Sequence, residues 1–135
     1  MSWDIFVLNV AATVTTTDEI PGDDPMTPLG TSADVLRRLR DGLPGVDLSD
    51  PAWGHLRGPG WTIELNIGAK DPVDSIMLHV RGGGDDVLGV IARVAALAGG
   101  RALDMSTGEF LTGDPARTEG WHGFQRYRDQ VLGER

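Results

Sequence analysis

Residues 61–98 read WTIELNIGAKDPVDSIMLHVRGGGDDVLGVIARVAALA, and the alternation in that stretch decides the fold. Trp61, Ile63, Leu65 and Ile67 alternate with Thr62, Glu64 and Asn66. A period of two puts the two sets on opposite faces of a strand. After the turn signal Gly68-Ala69-Lys70-Asp71-Pro72, Ile76, Leu78 and Val80 alternate with Met77, His79 and Arg81. Two such strands joined by a short loop pair antiparallel, apolar face to apolar face. The spacing therefore predicts a hairpin of Trp61–Ile67 with Ser75–Arg81. The register that best aligns the apolar faces, Ile67 opposite Ile76, sets Glu64 opposite His79 and Thr62 opposite Arg81. A slide by one pair keeps the same face and brings His79 beside Thr62. Gly82-Gly83-Gly84 then leads into Asp85 or Asp86, either of which can cap a helix with its carboxylate. Val87, Leu88, Ile91, Val94, Ala95 and Ala98 follow at helical spacing, so Asp86–Ala98 reads as a buried helix that Gly99-Gly100 stops.

Upstream, Trp3–Val10 (WDIFVLNV) is a strand by its aromatic and β-branched content. Trp3, Ile5 and Val7 occupy one face and Phe6, Leu8 and Val10 the other, the pattern of a central strand covered on both sides. Thr13 to Gly30 reads as a solvated loop, with Pro21, Pro25 and Pro28 and the acids Asp18, Glu19, Asp23 and Asp24. Those acids lack the spacing of a calcium loop. Thr31 or Ser32 caps a helix whose buried stripe is Val35, Leu36, Leu39 and Leu43, ended by Gly42 and Pro44. Trp53 reads as an anchor onto the core, and His55-Leu56-Arg57 as a short edge strand. Downstream, Arg101–Thr107 reads as a last strand that Glu109-Phe110-Leu111 extends. Asp114-Pro115 then opens a helical tail with Trp121, Phe124, Tyr127 and Val131 at helical spacing. The order is that of a ferredoxin-like βαββαβ α+β fold: an antiparallel four-stranded sheet, both main helices on one face, and an added C-terminal helix. The chain reads as one domain (1–135), with its core in 1–111 and a helical extension in 114–135.

The composition narrows the classes of function. At 135 residues, 40% hydrophobic and 24% charged, this is a globular domain. A net charge of −8 argues against nucleic acid or an anionic membrane as main partner. Cysteine is absent, which excludes disulfides and thiol chemistry. The apolar run from Ile5 to Val14 lacks the basic flank of a signal peptide, and no run approaches a membrane span. The expectation is a cytoplasmic protein without a cofactor.

Three places could carry chemistry. Glu64, His79 and Arg81 share the polar face of the hairpin. A carboxylate beside an imidazole can orient a general base, with Arg81 to hold an anionic substrate. A solvated cross-strand pair explains the same residues more simply. Arg81-Gly-Gly-Gly-Asp-Asp before a helix suggests a phosphate cradle, but Asp85 and Asp86 place negative charge where the phosphate would sit. His55, His79 and His122 are too dispersed in sequence to read as a metal site. The favoured reading is a non-catalytic binding or protein-interaction domain, because the second apolar face of Trp3–Val10 needs covering. The tail stripe Trp121, Phe124, Tyr127 and Val131 is one cover. A second copy of the chain, as a homodimer, is another. The negative charge suits a basic protein as foreign partner. A small-molecule hydrolase or transferase using Glu64, His79 and Arg81 is the alternative.

The stretches MSWDIFV, DPAWG, WTIELNIG, SIMLHVRGG and RALDMSTGEF together resemble a group of small acidic bacterial proteins that open Met-Ser-Trp-Asp and have no assigned activity. The similarity covers most of residues 1–111. It implies a bacterial cytosolic origin and a single compact domain, and it assigns no residue a role. Small acidic proteins of this look also include immunity proteins that neutralise toxins.

Overall fold

The computed structural model describes residues 2–10, 27–111 and 120–126. Along the chain these form β1 (Trp3–Leu8), α1 (Ser32–Gly42), β2 (Trp53–Gly58), β3 (Trp61–Asn66), β4 (Ser75–Gly82), α2 (Asp86–Ala98) and β5 (Arg101–Asp104). A short helical segment follows at 120–126. The expected loop from Thr13 to Gly30 falls largely outside the described residues, as do Tyr127 and Val131.

The architecture is α+β, with one antiparallel sheet in the order β2-β3-β4-β1-β5. The four-stranded ferredoxin-like order expected from the sequence is not matched. The reason is Trp53–Gly58: its inward Gly54 and Leu56 are buried and it pairs with β3 along its whole length, making it a full strand of the sheet. The hairpin of β3 and β4 has the register that best aligns the apolar faces, not the one-pair slide, with Glu64 opposite His79 and Thr62 opposite Arg81.

Both helices lie over one face of the sheet. Val35 and Leu39 of α1 and Val87, Leu88, Ile91, Val94, Ala95 and Ala98 of α2 share one core with Ile5, Val7, Ile63, Leu65, Ile76, Leu78 and Val80. Thr31 Oγ1 accepts the Asp34 N–H at 3.2 Å and caps α1. At α2 the cap is different. Asp85 makes no side-chain bond to the helix N–H groups. Its carboxylate instead accepts the Trp121 indole N–H at 2.9 Å, and Asp86 accepts that of Trp61 at 2.8 Å. Gly99, left-handed at φ 81°, ends the helix.

The second face of β1 is covered in a way the sequence reading did not anticipate. β5 stops at Asp104, not Thr107, because its carboxylate accepts both the backbone N–H and the hydroxyl of Ser106 and turns the chain. Glu109 and Phe110 then return alongside β5, with Phe110 bridged to Leu103. Phe110, Leu103 and Leu8 form a second small core, against which Phe6 and Val10 pack. Trp121, expected on this face, is fully buried on the other side. It belongs to the helix-side core, with its ring 5.1 Å from that of Trp3 and 5.8 Å from that of Phe124. The indole of Trp3 donates in turn to buried Asp104 at 3.1 Å. A carboxylate waiting at the α2 terminus and an aromatic surface on Trp3 draw Trp121 there. Among the described residues no helix is long and apolar enough to cross a membrane.

Candidate functional site

Paired residues in an antiparallel sheet point to the same side, so the registers assemble the uncovered part of the outer face row by row. The first row is Arg57, Thr62 and Arg81; the second is His55, Glu64, His79 and Asp4; the third is Trp53, Asn66, Met77 and Phe6. The alternate residues of these strands are spent on the helix-side core. This is what leaves polar and amphipathic groups facing out on β2, β3 and β4.

The predicted trio of Glu64, His79 and Arg81 does meet on this face, but with different partners. Glu64 Oε1 accepts from Arg81 Nη1 at 2.5 Å, so its carboxylate is committed diagonally across the hairpin. The carboxylate on His79 is that of Asp4, with Oδ1 2.8 Å from Nδ1. The same Asp4 oxygen accepts the Ser2 hydroxyl at 2.8 Å. The imidazole is stacked at 6.0 Å on the indole of Trp53, which lies half-buried on the outer face instead of anchoring in the core. His79 is thus held on two sides, at Nδ1 and across its ring. Asp4, the only charged residue of β1, was the sequence signal for this pair. Its pairing with His79 depends on a register between strands 75 positions apart, which alternation within each strand does not supply.

Three of the concavities formed by the described residues border this face. The largest, about 640 Å³, is lined by Ser2, Asp4, Ser106, Thr107, Phe124 and Arg126 among others. A hollow of about 390 Å³ closes the first row, lined by Arg57, Gly58, Gly60, Trp61, Thr62, Arg81 and Gly82. A third, about 320 Å³, is formed by Gly45, Asp47, His55 and Arg57. His79 lines none of these three. Asp47 pairs by its backbone with His55 at the edge of β2. Its carboxyl is held below its ordinary value by the Ser49 hydroxyl and the Ser49 N–H.

The glycine-rich junction does not form a phosphate cradle. The carboxylates of Asp85 and Asp86 stand at the α2 terminus and receive indole N–H groups. Among the described residues no His, Asp and Glu side chains cluster closely enough to hold a metal ion. Of the predicted tail residues, Trp121 is a core residue and Phe124 packs partly buried against it. Neither presents an open aromatic stripe. Comparison with protein-family models, with curated proteins and with solved structures gives no match.

Proposed function

We propose that this chain is a non-catalytic binding domain that receives a protein partner on the outer face of β2, β3 and β4. One observation carries the reading. The three rows present arginine, histidine, tryptophan and asparagine side chains on an open surface of rigid strands, while both helices and the main core lie behind it. Trp and Arg on a preorganised surface are the residue types that dominate protein interfaces. The partner this reading favours is a basic protein, steered by the net charge of −8. Neutralising a toxin in the cytosol is one role of that kind.

Exposed Asn66, in the third row of the face on β3 between β2 and β4, gives the test. Wild type and Asn66→Lys are immobilised and offered a bacterial extract at low salt, with the native mass of each measured alongside. The expected result is a basic protein retained by wild type and absent from the variant, with both chains monomeric and their circular dichroism identical. Equal retention by both, or a wild-type dimer that occupies the face, overturns the reading.

A second reading rests on the Asp4–His79 pair. A carboxylate at Nδ1 fixes the imidazole tautomer and leaves Nε2 to take a proton. Under it the chain is a small hydrolase or transferase, with Arg81 holding an anionic substrate and Asp4, not Glu64, orienting His79. Activity screening of wild type against His79→Ala separates the two readings, and identical profiles dispose of the enzyme.

A further inference from the structure

The hollow at the end of the first row has features of an oxyanion site. Arg57 is exposed on the outermost strand and makes no ion pair or hydrogen bond to another described residue. Several other cations are engaged: Arg37 with Asp34, Lys70 with Asp74, Arg38 with the Leu29 carbonyl and Arg93 with that of Gly42. Arg40 on α1, like Arg57, has no partner among the described residues, but it lines none of the three hollows. Arg57 and Arg81 flank Thr62 on successive strands. Two strand spacings separate their backbones by about 10 Å, within joint reach of two long side chains converging on one group. The wall of the hollow is fixed backbone. Gly82 sits at φ +97°, and a Cβ there would lie 2.1 Å from the Gly60 carbonyl oxygen, so only glycine permits the approach. Trp61 lines the hollow and is tied down by its bond to Asp86.

Charge decides which anion fits. Arg57 and Arg81 line the hollow with two positive charges and Glu64, bonded to Arg81, removes one, while the Asp86 carboxylate is taken by the Trp61 indole and does not line the hollow. The remainder matches a carboxylate better than a doubly charged phosphate. A guanidinium fork also meets a planar carboxylate with two parallel bonds. We propose that this hollow binds a carboxylate of the docked protein, with Arg57 as the principal donor and Arg81 and the Thr62 hydroxyl completing the site. Only the source of the carboxylate rests on the binding-domain reading, because the site itself can be tested without a partner.

The probe is sodium acetate, titrated into the full chain at constant ionic strength and followed by NMR at the amides of Gly58, Gly60 and Gly82 and the side-chain N–H groups of Arg57 and Arg81. Inorganic phosphate and sodium chloride serve as comparison arms. The expected result is saturable shifts with acetate, about fivefold weaker binding in Arg57→Ala, and binding about twofold to fivefold tighter in Glu64→Gln, the range of an exposed ion pair. The gain in Glu64→Gln is the diagnostic arm, since a purely structural Glu64 would give none. Shifts no larger than those with chloride, or no gain in Glu64→Gln, overturn the site. Phosphate binding tighter than acetate overturns the carboxylate assignment. Failure here leaves retention by Asn66→Lys to decide the binding-domain reading separately.

Discussion

Replacing Trp121 by alanine tests whether the segment 120–126 is part of the domain in solution. The side chain is fully buried, rests on Trp3 and Phe124, and donates its indole N–H to Asp85. A buried Trp removes about 200 Å² from water, worth about 5 kcal/mol at about 25 cal/mol per Å². The compactness of real unfolded chains trims that figure, and measured Trp→Ala costs of about 3–5 kcal/mol agree with it. The hydrogen bond adds little, because Asp85 is exposed and regains water when the indole leaves. Trp121→Phe should therefore cost about 1–2 kcal/mol, since it keeps an aromatic ring on Trp3. Against a domain stability on the order of 5–15 kcal/mol, the alanine variant loses a large share. In urea, at a slope of about 1–3 kcal/mol per M, its unfolding midpoint should fall by at least about 1 M. The phenylalanine variant should fall between it and wild type. A midpoint for Trp121→Ala within about 0.3 M of wild type would mean that the segment is undocked in solution, and the account of this end of the sheet would fail.

Phe110→Ala should uncover Phe6, Leu8 and Leu103. We expect a cost of about 3 kcal/mol together with new binding of a hydrophobic dye, and a variant that stays dark would show that something else covers this face. Gly82→Ala forces a Cβ to within 2.1 Å of the Gly60 carbonyl oxygen at a positive φ. It should destabilise by more than about 1 kcal/mol, and an unchanged melting temperature would contradict the tight junction. The Asp47 carboxyl is depressed below 3.8, first by the Ser49 hydroxyl and then by the Ser49 N–H. The stabilisation from its ionised form is thus present above the unfolded value and is lost as pH falls through the lower folded value. Ser49→Ala should raise the Asp47 midpoint in an NMR titration, and no movement would refute the assigned cause.

The sequence was most readable where one strand's own alternation sets the answer. Ile63, Leu65, Ile76 and Leu78 had to face one core, and of the two registers that keep that face, the one that best aligns the apolar residues is the one β3 and β4 adopt. The stripe of α2 was legible for the same reason. The sequence was silent where a polar group had two competing partners. Asp85 and Asp86 have the local pattern of helix caps, yet two tryptophans arriving from residues 61 and 121 take their carboxylates. Glu64 and His79 are neighbours by register, but Arg81 and Asp4 outcompete that pairing. Trp53 shows a similar limit: one aromatic residue near a strand start can anchor in either face, and here it stacks on a histidine. Local pattern assigns a face; choice among partners on that face is made by the assembled sheet.

The position of β1 has a consequence for how the chain acquires its structure. β1 lies between β4 and β5, and side chains that bond across these boundaries are 75 and 101 positions apart. The meander β2-β3-β4 can close by local turns as it is synthesised, whereas β1 must wait for both its flanking strands. A segment that is apolar on both sides then stays exposed until β4 and β5 have been made, while aggregation competes with folding. Formation of the sheet should be slow and should end with the insertion of β1, so the nascent chain, more than the finished domain, is the form of this protein most open to aggregation.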